Sequence, residues 1–233
     1  MGYEAGAVRR LHRFTAETDA AYLLTHLKAG MRLLDIGCGP GNISVGLASA
    51  VDPGEVYGID ISETQVELST EAARDAGHSN ARFQVADALN LPFPGNHFDA
   101  VHCHAVLMHI PDAMAALAEI KRVLRSGGIL GASDLINESA FIEPDFGNLK
   151  GAIAMFAAGL TANGGHPQIG KELGAKFSEG GFAGIESTGV LETWGTSPGA
   201  AEFTDFWLSG AFGPTFGDKA VARGIATQEK IDE

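Results

Sequence analysis

The sequence predicts an α/β fold: a doubly wound, Rossmann-like, mostly parallel sheet with helices on both faces. Three observations predict it. Leu33-Leu34-Asp35-Ile36-Gly37-Cys38-Gly39-Pro40-Gly41-Asn42 reads as a short apolar strand, a glycine-rich turn and a helix start, the sequence form of a nucleotide-type cofactor site. Strand-like and helix-like segments then alternate up to Asp134, which implies parallel strands joined by crossover helices. Asp60 closes the next strand, Val56-Tyr57-Gly58-Ile59-Asp60. It follows the glycine loop at the distance expected of a carboxylate that grips ribose hydroxyls.

Each element has its own local signal. Residues 1 to 29 read as a helical cap, with Leu23, Leu24 and Leu27 on one face and Gly30 as the stop. The first strand is Arg32 to Ile36, and its helix runs from Gly41 to Ala50. Asp52-Pro53-Gly54 makes a turn into the second strand, Glu55 to Asp60. Ser62 with Gln65 three residues on predicts a capping box for the helix that stops at Gly77. Arg82 to Ala86 is the third strand, Asp99 to His104 the fourth, Asp112 to Leu124 a helix, and Ile129 to Asp134 the fifth strand. Beyond it the alternation breaks. Residues 136 to 165 read as a loop and one helix rich in Ala, Phe and Met, and Lys171 to Gly180 as another helix. Ile185 to Thr193 reads as a sixth strand, and residues 200 to 233 as helix with a Gly/Pro break at 210 to 217. No strand-like run follows residue 195. The expected sheet therefore has six strands, and an edge left open would be relieved by a covering helix or by pairing in a homodimer.

The glycine loop separates two cofactor classes. A dinucleotide loop asks for G-x-G-x-x-G/A, and Asn42 stands at its sixth position. The loop is instead D-x-G-x-G-x-G, from Asp35 to Gly41, and it resembles motif I of the class I S-adenosylmethionine (SAM) methyltransferases. Ala86-Asp87-Ala88, Phe98-Asp99-Ala100-Val101 and Leu124-Arg125-Ser126-Gly127-Gly128-Ile129-Leu130 follow in the order of that family's later motifs. The resemblance covers residues 30 to 135. Leu91-Pro92-Phe93 and Gly127-Gly128 are similar to the small-molecule "type 11", ubiquinone/menaquinone-biosynthesis-like branch. His12-Arg13-Phe14-Thr15-Ala16-Glu17, Ala21-Tyr22-Leu23-Leu24 and Ala162-Asn163-Gly164-Gly165 are similar to a bacterial and fungal subgroup of it. The resemblance implies one SAM-dependent domain over residues 1–233. Its parts are a cap (1–29), a SAM-binding core (30–135), a lid and acceptor region (136–183) and a C-terminal strand with helices (184–233). The family's usual seventh, antiparallel strand has no counterpart here.

The site follows residue by residue. Gly37, Cys38, Gly39 and Gly41 bring backbone N–H groups to the methionine end of SAM. The resemblance implies that Asp35 orients this loop and the SAM amino group. A carboxylate near a cationic ammonium and sulfonium is favourable electrostatics. The resemblance implies that Asp60 accepts from both ribose hydroxyls and that Ile61 packs on the adenine. Asp87 accepts from the adenine amine, and Ala88 offers it a backbone N–H. His104 stands at the family's motif IV position, and His109 precedes Ile110-Pro111-Asp112; either suits a general base. Tyr3, Arg13 and Tyr22 are cap residues that can close over SAM. Phe141, Met155, Phe156, Phe203 and Trp207 are candidates for an apolar acceptor pocket, or for ordinary core. His102, Cys103 and His104 suggest a metal, but Cys103 points to the opposite strand face and no metal-ligand spacing appears. No metal is expected.

Composition narrows the acceptor. The chain has 233 residues and a net charge of −13. Such a chain repels polyanions, which disfavours nucleic acid. The fourth strand ends in His104-Ala105-Val106-Leu107, unlike the (D/N)-P-P-(Y/F) associated with exocyclic-amine methylation. Two cysteines, Cys38 and Cys103, fall in core positions, which suits a reducing compartment. No targeting segment or bilayer-length apolar run is evident, so a cytoplasmic location without membrane insertion is expected. The expected reaction is transfer of the sulfonium methyl to an O, N or C nucleophile of a small, apolar metabolite, with S-adenosylhomocysteine (SAH) as product. The alternatives are a SAM-binding protein without transferase activity, a SAM-dependent enzyme of other chemistry, and an NAD-dependent oxidoreductase.

Overall fold

The computed structural model describes residues 13–141, 149–191, 201 and 216–232. Five parallel strands form the sheet: β1 (Arg32–Ile36), β2 (Glu55–Asp60), β3 (Ala81–Val85), β4 (Phe98–His104) and β5 (Leu124–Ser133). Their order is β3-β2-β1-β4-β5. Two short helices precede them, α1 (Ala16–Asp19) and α2 (Ala21–Leu24). The crossover helices are α3 (Asn42–Val51), α4 (Glu63–Asp75) and α5 (Ala113–Val123). Beyond β5 come α6 (Leu149–Ala162), α7 (Leu173–Glu179), α8 (Phe216–Ala222) and α9 (Gln228–Asp232). The chain reverses its direction of travel across the sheet between β1 and β4. Open α/β sheets bind ligands outside the strand ends at such a point.

Alternation along the strands builds a core on each face. Leu34, Ile36, Val101 and Cys103 pack with Leu117 and Ile120 of α5. Leu33, Val56 and Ala100 pack with Leu47 and Val51 of α3 and with Ala16, Ala20 and Leu23 of the cap. Each fully buried leucine contributes about 1.5–3 kcal/mol, so the cap is fixed to the sheet by the same burial that fixes α3. Phe98 sits at the base of β4 with Phe93 at 4.9 Å and Tyr57 at 5.6 Å, both edge-on. The Leu91-Pro92-Phe93 turn is tied to α5. Arg122 donates to the Leu91 and Phe93 carbonyls, and the Leu91 N–H donates to Glu119.

The strands lie within a residue or two of their expected places, except that β5 starts at Leu124, which pairs with Phe98 before the register shifts. Two expectations fail. Ser62 makes no side-chain cap on α4. Its own N–H is taken by Asp60 Oδ1 at 2.9 Å, so the reciprocal Gln65 bond of a capping box has no donor left. The sixth strand over Ile185 to Thr193 does not form within the described residues 184–191, where Val190 is 84% and Leu191 85% exposed. A segment becomes a strand only where a neighbouring strand supplies its hydrogen bonds, and residues 185–191 have none there. The sheet is five-stranded among the described residues. Residues 192 and 193, like Tyr3, Phe203 and Trp207, lie outside them.

Candidate functional site

The glycine loop is built by close approach. Gly41 has φ +89°, and a Cβ there would lie 2.7 Å from the Cα of Ser69 on α4. Gly37 has φ +67° and meets Val106 where a side chain would stand. Only glycine combines that backbone with that clearance. The loop is also tied to the end of β2. Cys38 N–H donates to the Ile59 carbonyl at 2.9 Å, and Gly39 N–H donates to Asp60 Oδ2 at 3.1 Å. Asp60 is 5% exposed, and burial raises its pKa above the usual carboxylate value against the pull of its backbone N–H donors. The carboxylate and the glycine loop thus share one crevice at the strand ends.

On the far side of this crevice Ile61 is 73% exposed, and Val85 and Leu89 also show apolar surface. Asp87 is exposed and accepts the Leu89 N–H at 2.9 Å, with Ala88 half-buried beside it. The residues expected to meet an adenine therefore stand together, next to Asp60.

Asp35 is held by internal partners. It is 2% exposed, takes a short hydrogen bond from the Ser44 hydroxyl, and accepts from His102 Nδ1 at 2.7 Å. Both oxygens are engaged inside the protein, one with α3 and one with β4. The sequence reading missed Ser44 and His102 as its partners. The signal was the parallel register that sets Asp35 beside His102. No cluster of three metal-ligating side chains occurs among the described residues. Tyr22 stacks on His102 at 6.2 Å; burial and the nearby Cys103 and Asp35 charges push its phenol well above its usual pKa.

The two candidate bases differ in setting. His104 ends β4 under the Phe14 ring, with ring centroids 4.9 Å apart. Burial and the adjacent His102 lower its pKa below the usual imidazole value. His109 is exposed and ends the 3₁₀ turn Leu107–His109. That turn is held on both sides. Asp134 accepts the Leu107 and Met108 N–H groups, each at 3.2 Å. His166 N–H donates to the Met108 carbonyl at 2.8 Å, and His166 Nε2 bonds the Pro111 carbonyl at 2.9 Å. Gly165 permits this contact, since a Cβ there would lie 2.5 Å from the Met108 oxygen. The Asn163-Gly164-Gly165 stretch noted in the sequence is thus a docking plate for the His109 turn. Of the candidate pocket residues, Phe156 packs against the main core and Met155 is half-buried on α6, whereas Phe141 is 86% exposed.

Asp134 gives a pH prediction. Burial raises its carboxyl to about 7, partly opposed by the Met108 and Leu107 N–H groups. The folded state then holds a proton that the unfolded chain has released. Stability from this group is complete below the unfolded pKa and is lost as pH rises through about 7. Asp134→Asn removes the titration. Thermal melts between pH 5 and 8.5 should show the stability difference moving in the variant's favour as pH rises; parallel profiles for the two proteins would contradict it.

Comparison with known proteins agrees with this geometry. The profile of a family described as "Methyltransferase domain" matches residues 27–174. An uncharacterized methyltransferase of Schizosaccharomyces pombe is 31% identical over 225 residues, covering 94% of this chain and 77% of that protein. A demethylmenaquinone methyltransferase of Geobacillus kaustophilus is 31% identical over 174 residues, covering 69% of this chain and 74% of that protein. A solved SAM-dependent methyltransferase from Aquifex aeolicus superposes with a TM-score of 0.60 at 22% identity, over 82% of this chain and 94% of that one. The glycine loop, the acid at the end of β2 and the five-stranded order all fall inside the matched span, and the chain belongs to the methyltransferase domain family.

Proposed function

We propose that this chain transfers the sulfonium methyl of SAM to an O, N or C nucleophile of a small, apolar metabolite, releasing SAH. The observation that carries the reading is the joint crevice of the glycine loop and Asp60, with Gly39 N–H on the Asp60 carboxylate. Asp60 would accept from the two ribose hydroxyls, and Ile61, Asp87 and Ala88 would take the adenine. Gly37, Cys38, Gly39 and Gly41 would lie along the methionine end, with Asp35 fixing their shape through Ser44 and His102. Asp35 and Asp60 also bring carboxylates to these strand ends, which suits a cofactor carrying ammonium and sulfonium charges.

The cofactor, when bound, supplies the activated methyl carbon. The chain's work is to orient that carbon, to keep water out, and to present the acceptor in line. The cap, through Phe14 over His104, closes one side of the cleft. The His109 turn and the apolar helix α6 border another, and α6 supports the apolar acceptor. The demethylmenaquinone methyltransferase relative is named for an apolar quinone acceptor, which supports the same class.

The test is label transfer from [methyl-¹⁴C]SAM to a library of phenols, quinols, amines and activated-methylene compounds, alongside calorimetry with SAM and SAH. Binding at micromolar strength, about −8 kcal/mol, with label in an organic-extractable product is expected. Tight NADH binding without SAM binding would overturn the reading. SAM binding without transfer to any acceptor class would favour a SAM-binding protein or a SAM-dependent enzyme of other chemistry.

A further inference from the structure

His166 has no task in the reaction described above, yet it grips the turn that carries His109. Its main-chain N–H donates to the Met108 carbonyl at 2.8 Å, and its Nε2 bonds the Pro111 carbonyl at 2.9 Å. A carbonyl oxygen only accepts, so Nε2 carries the proton. One bond falls on the residue before His109 and the other on the second residue after it. The stretch of backbone that sets the direction of the His109 side chain is bracketed between them.

The surrounding contacts make this grip a rigid one. Gly164 has φ +80°, and a Cβ there would lie 3.2 Å from the Pro111 ring, so the chain comes as close to Pro111 as glycine allows. Leu160 of α6 and Ile169, on either side of His166, are buried in the same core as Leu107 and Met108 of the turn. The Pro167 carbonyl accepts from the Asn137 N–H at 3.2 Å and from Asn137 Nδ2 at 2.7 Å. Asn137 lies just beyond Asp134, which accepts the Leu107 and Met108 N–H groups. The end of α6, the exit from β5 and the His109 turn thus close into one ring of contacts. In that ring the His166 side chain ties the segment after α6 to the far end of the turn.

We propose that His166 is a positioning residue for methyl transfer, fixing the turn so that His109 meets the acceptor in one orientation. The inference rests on the reading that His109 takes the acceptor's proton. Without the Pro111 bond the turn keeps its Asp134 bonds at Leu107 and Met108 but loses its hold beyond His109, and the imidazole samples several directions. The rate falls, since a misplacement of about 1 Å costs roughly 10²-fold. The cofactor crevice is built on β1, β2 and α4 and keeps its shape.

The test is label transfer to the acceptor found with the library above, with SAH calorimetry alongside, for wild type, His166→Ala and His166→Gln, each also combined with His109→Ala. His166→Ala should lower kcat about 10–100-fold with SAH affinity unchanged. His166→Gln keeps an amide N–H near the place of Nε2–H and should recover most of the rate. In the His109→Ala background, His166→Ala should cost nothing further, because the group it positions is gone. Amide exchange at His109 and Ile110, whose N–H groups close the turn on Val106 and Leu107, should quicken in His166→Ala and slow again in His166→Gln. Unchanged kcat, unchanged exchange, or the same loss in both backgrounds overturns the role of His166 alone. So does a fall in SAH affinity that matches the fall in rate, the mark of general loosening. Wild type that binds SAH yet labels no acceptor refutes the transferase reading and this inference with it, and full turnover in His109→Ala refutes the base on which it rests.

Discussion

Asp60→Ala should weaken SAM and SAH about 100-fold in calorimetry. Two charge-assisted hydrogen bonds to the ribose would be lost, each worth about 1.5–3 kcal/mol. The alanine variant also strands the Gly39 and Ser62 N–H groups that the carboxylate now accepts. Each unsatisfied donor costs about 1–3 kcal/mol, so this change should lower the melting temperature as well. Asp60→Asn separates the two effects. It keeps the size and one of the two acceptor oxygens, so it should lose less stability than the alanine variant while still binding SAM weakly. A further check is pH. Burial holds the Asp60 pKa above its usual value, so affinity should be full at neutral pH and fall with acidification earlier than for an exposed carboxylate. Unchanged SAM affinity in a folded Asp60→Asn and Asp60→Ala pair would remove Asp60 from the site.

The second large effect concerns turnover. With an acceptor identified by label transfer, His109→Ala should lower kcat about 10²–10⁴-fold with little change in SAM affinity, if His109 takes the acceptor's proton. Its turn is clamped between Asp134 and His166. His104 is the competing base, and it is a poorer one. Its lowered pKa and its cover by Phe14 suit a neutral ring that shapes the methionine end. His104→Ala should therefore disturb SAM binding as well as rate. The pH profiles distinguish the two. A base at His104 would leave the rate flat down to below the usual imidazole pKa. Near-normal turnover in both variants from pH 6 to 9 would instead show that orientation alone carries the reaction, with the nucleophile already ionised.

Much of this site was legible in the sequence because its signals are local. A strand, a turn that only glycine can make, and an acid at the next strand end need only the chain's own steric rules. β1 and β2 accordingly fall at their expected residues. The glycine loop and Asp60 do meet, because parallel pairing of β1 with β2 places Ile36 beside Ile59 and thus the two strand ends together.

What the sequence could not settle depends on competition between distant groups. Ser62 and Gln65 spell a capping box, yet Asp60 takes the Ser62 N–H and the Gln65 amide stays buried without a hydrogen bond. Asp35 suits a ligand contact by type, yet the register of β4 sets His102 against it and α3 adds Ser44. Ile185 to Thr193 reads as a sixth strand, yet a strand exists only where a partner offers its backbone, and none does within the described residues up to Leu191. By itself the sequence determined the sheet core, the glycine loop and the acid at the end of β2, since backbone geometry and residue type fix those locally. Only the tertiary structure decided which polar groups are already satisfied, because each donor and acceptor is claimed by whichever partner the packing brings nearest.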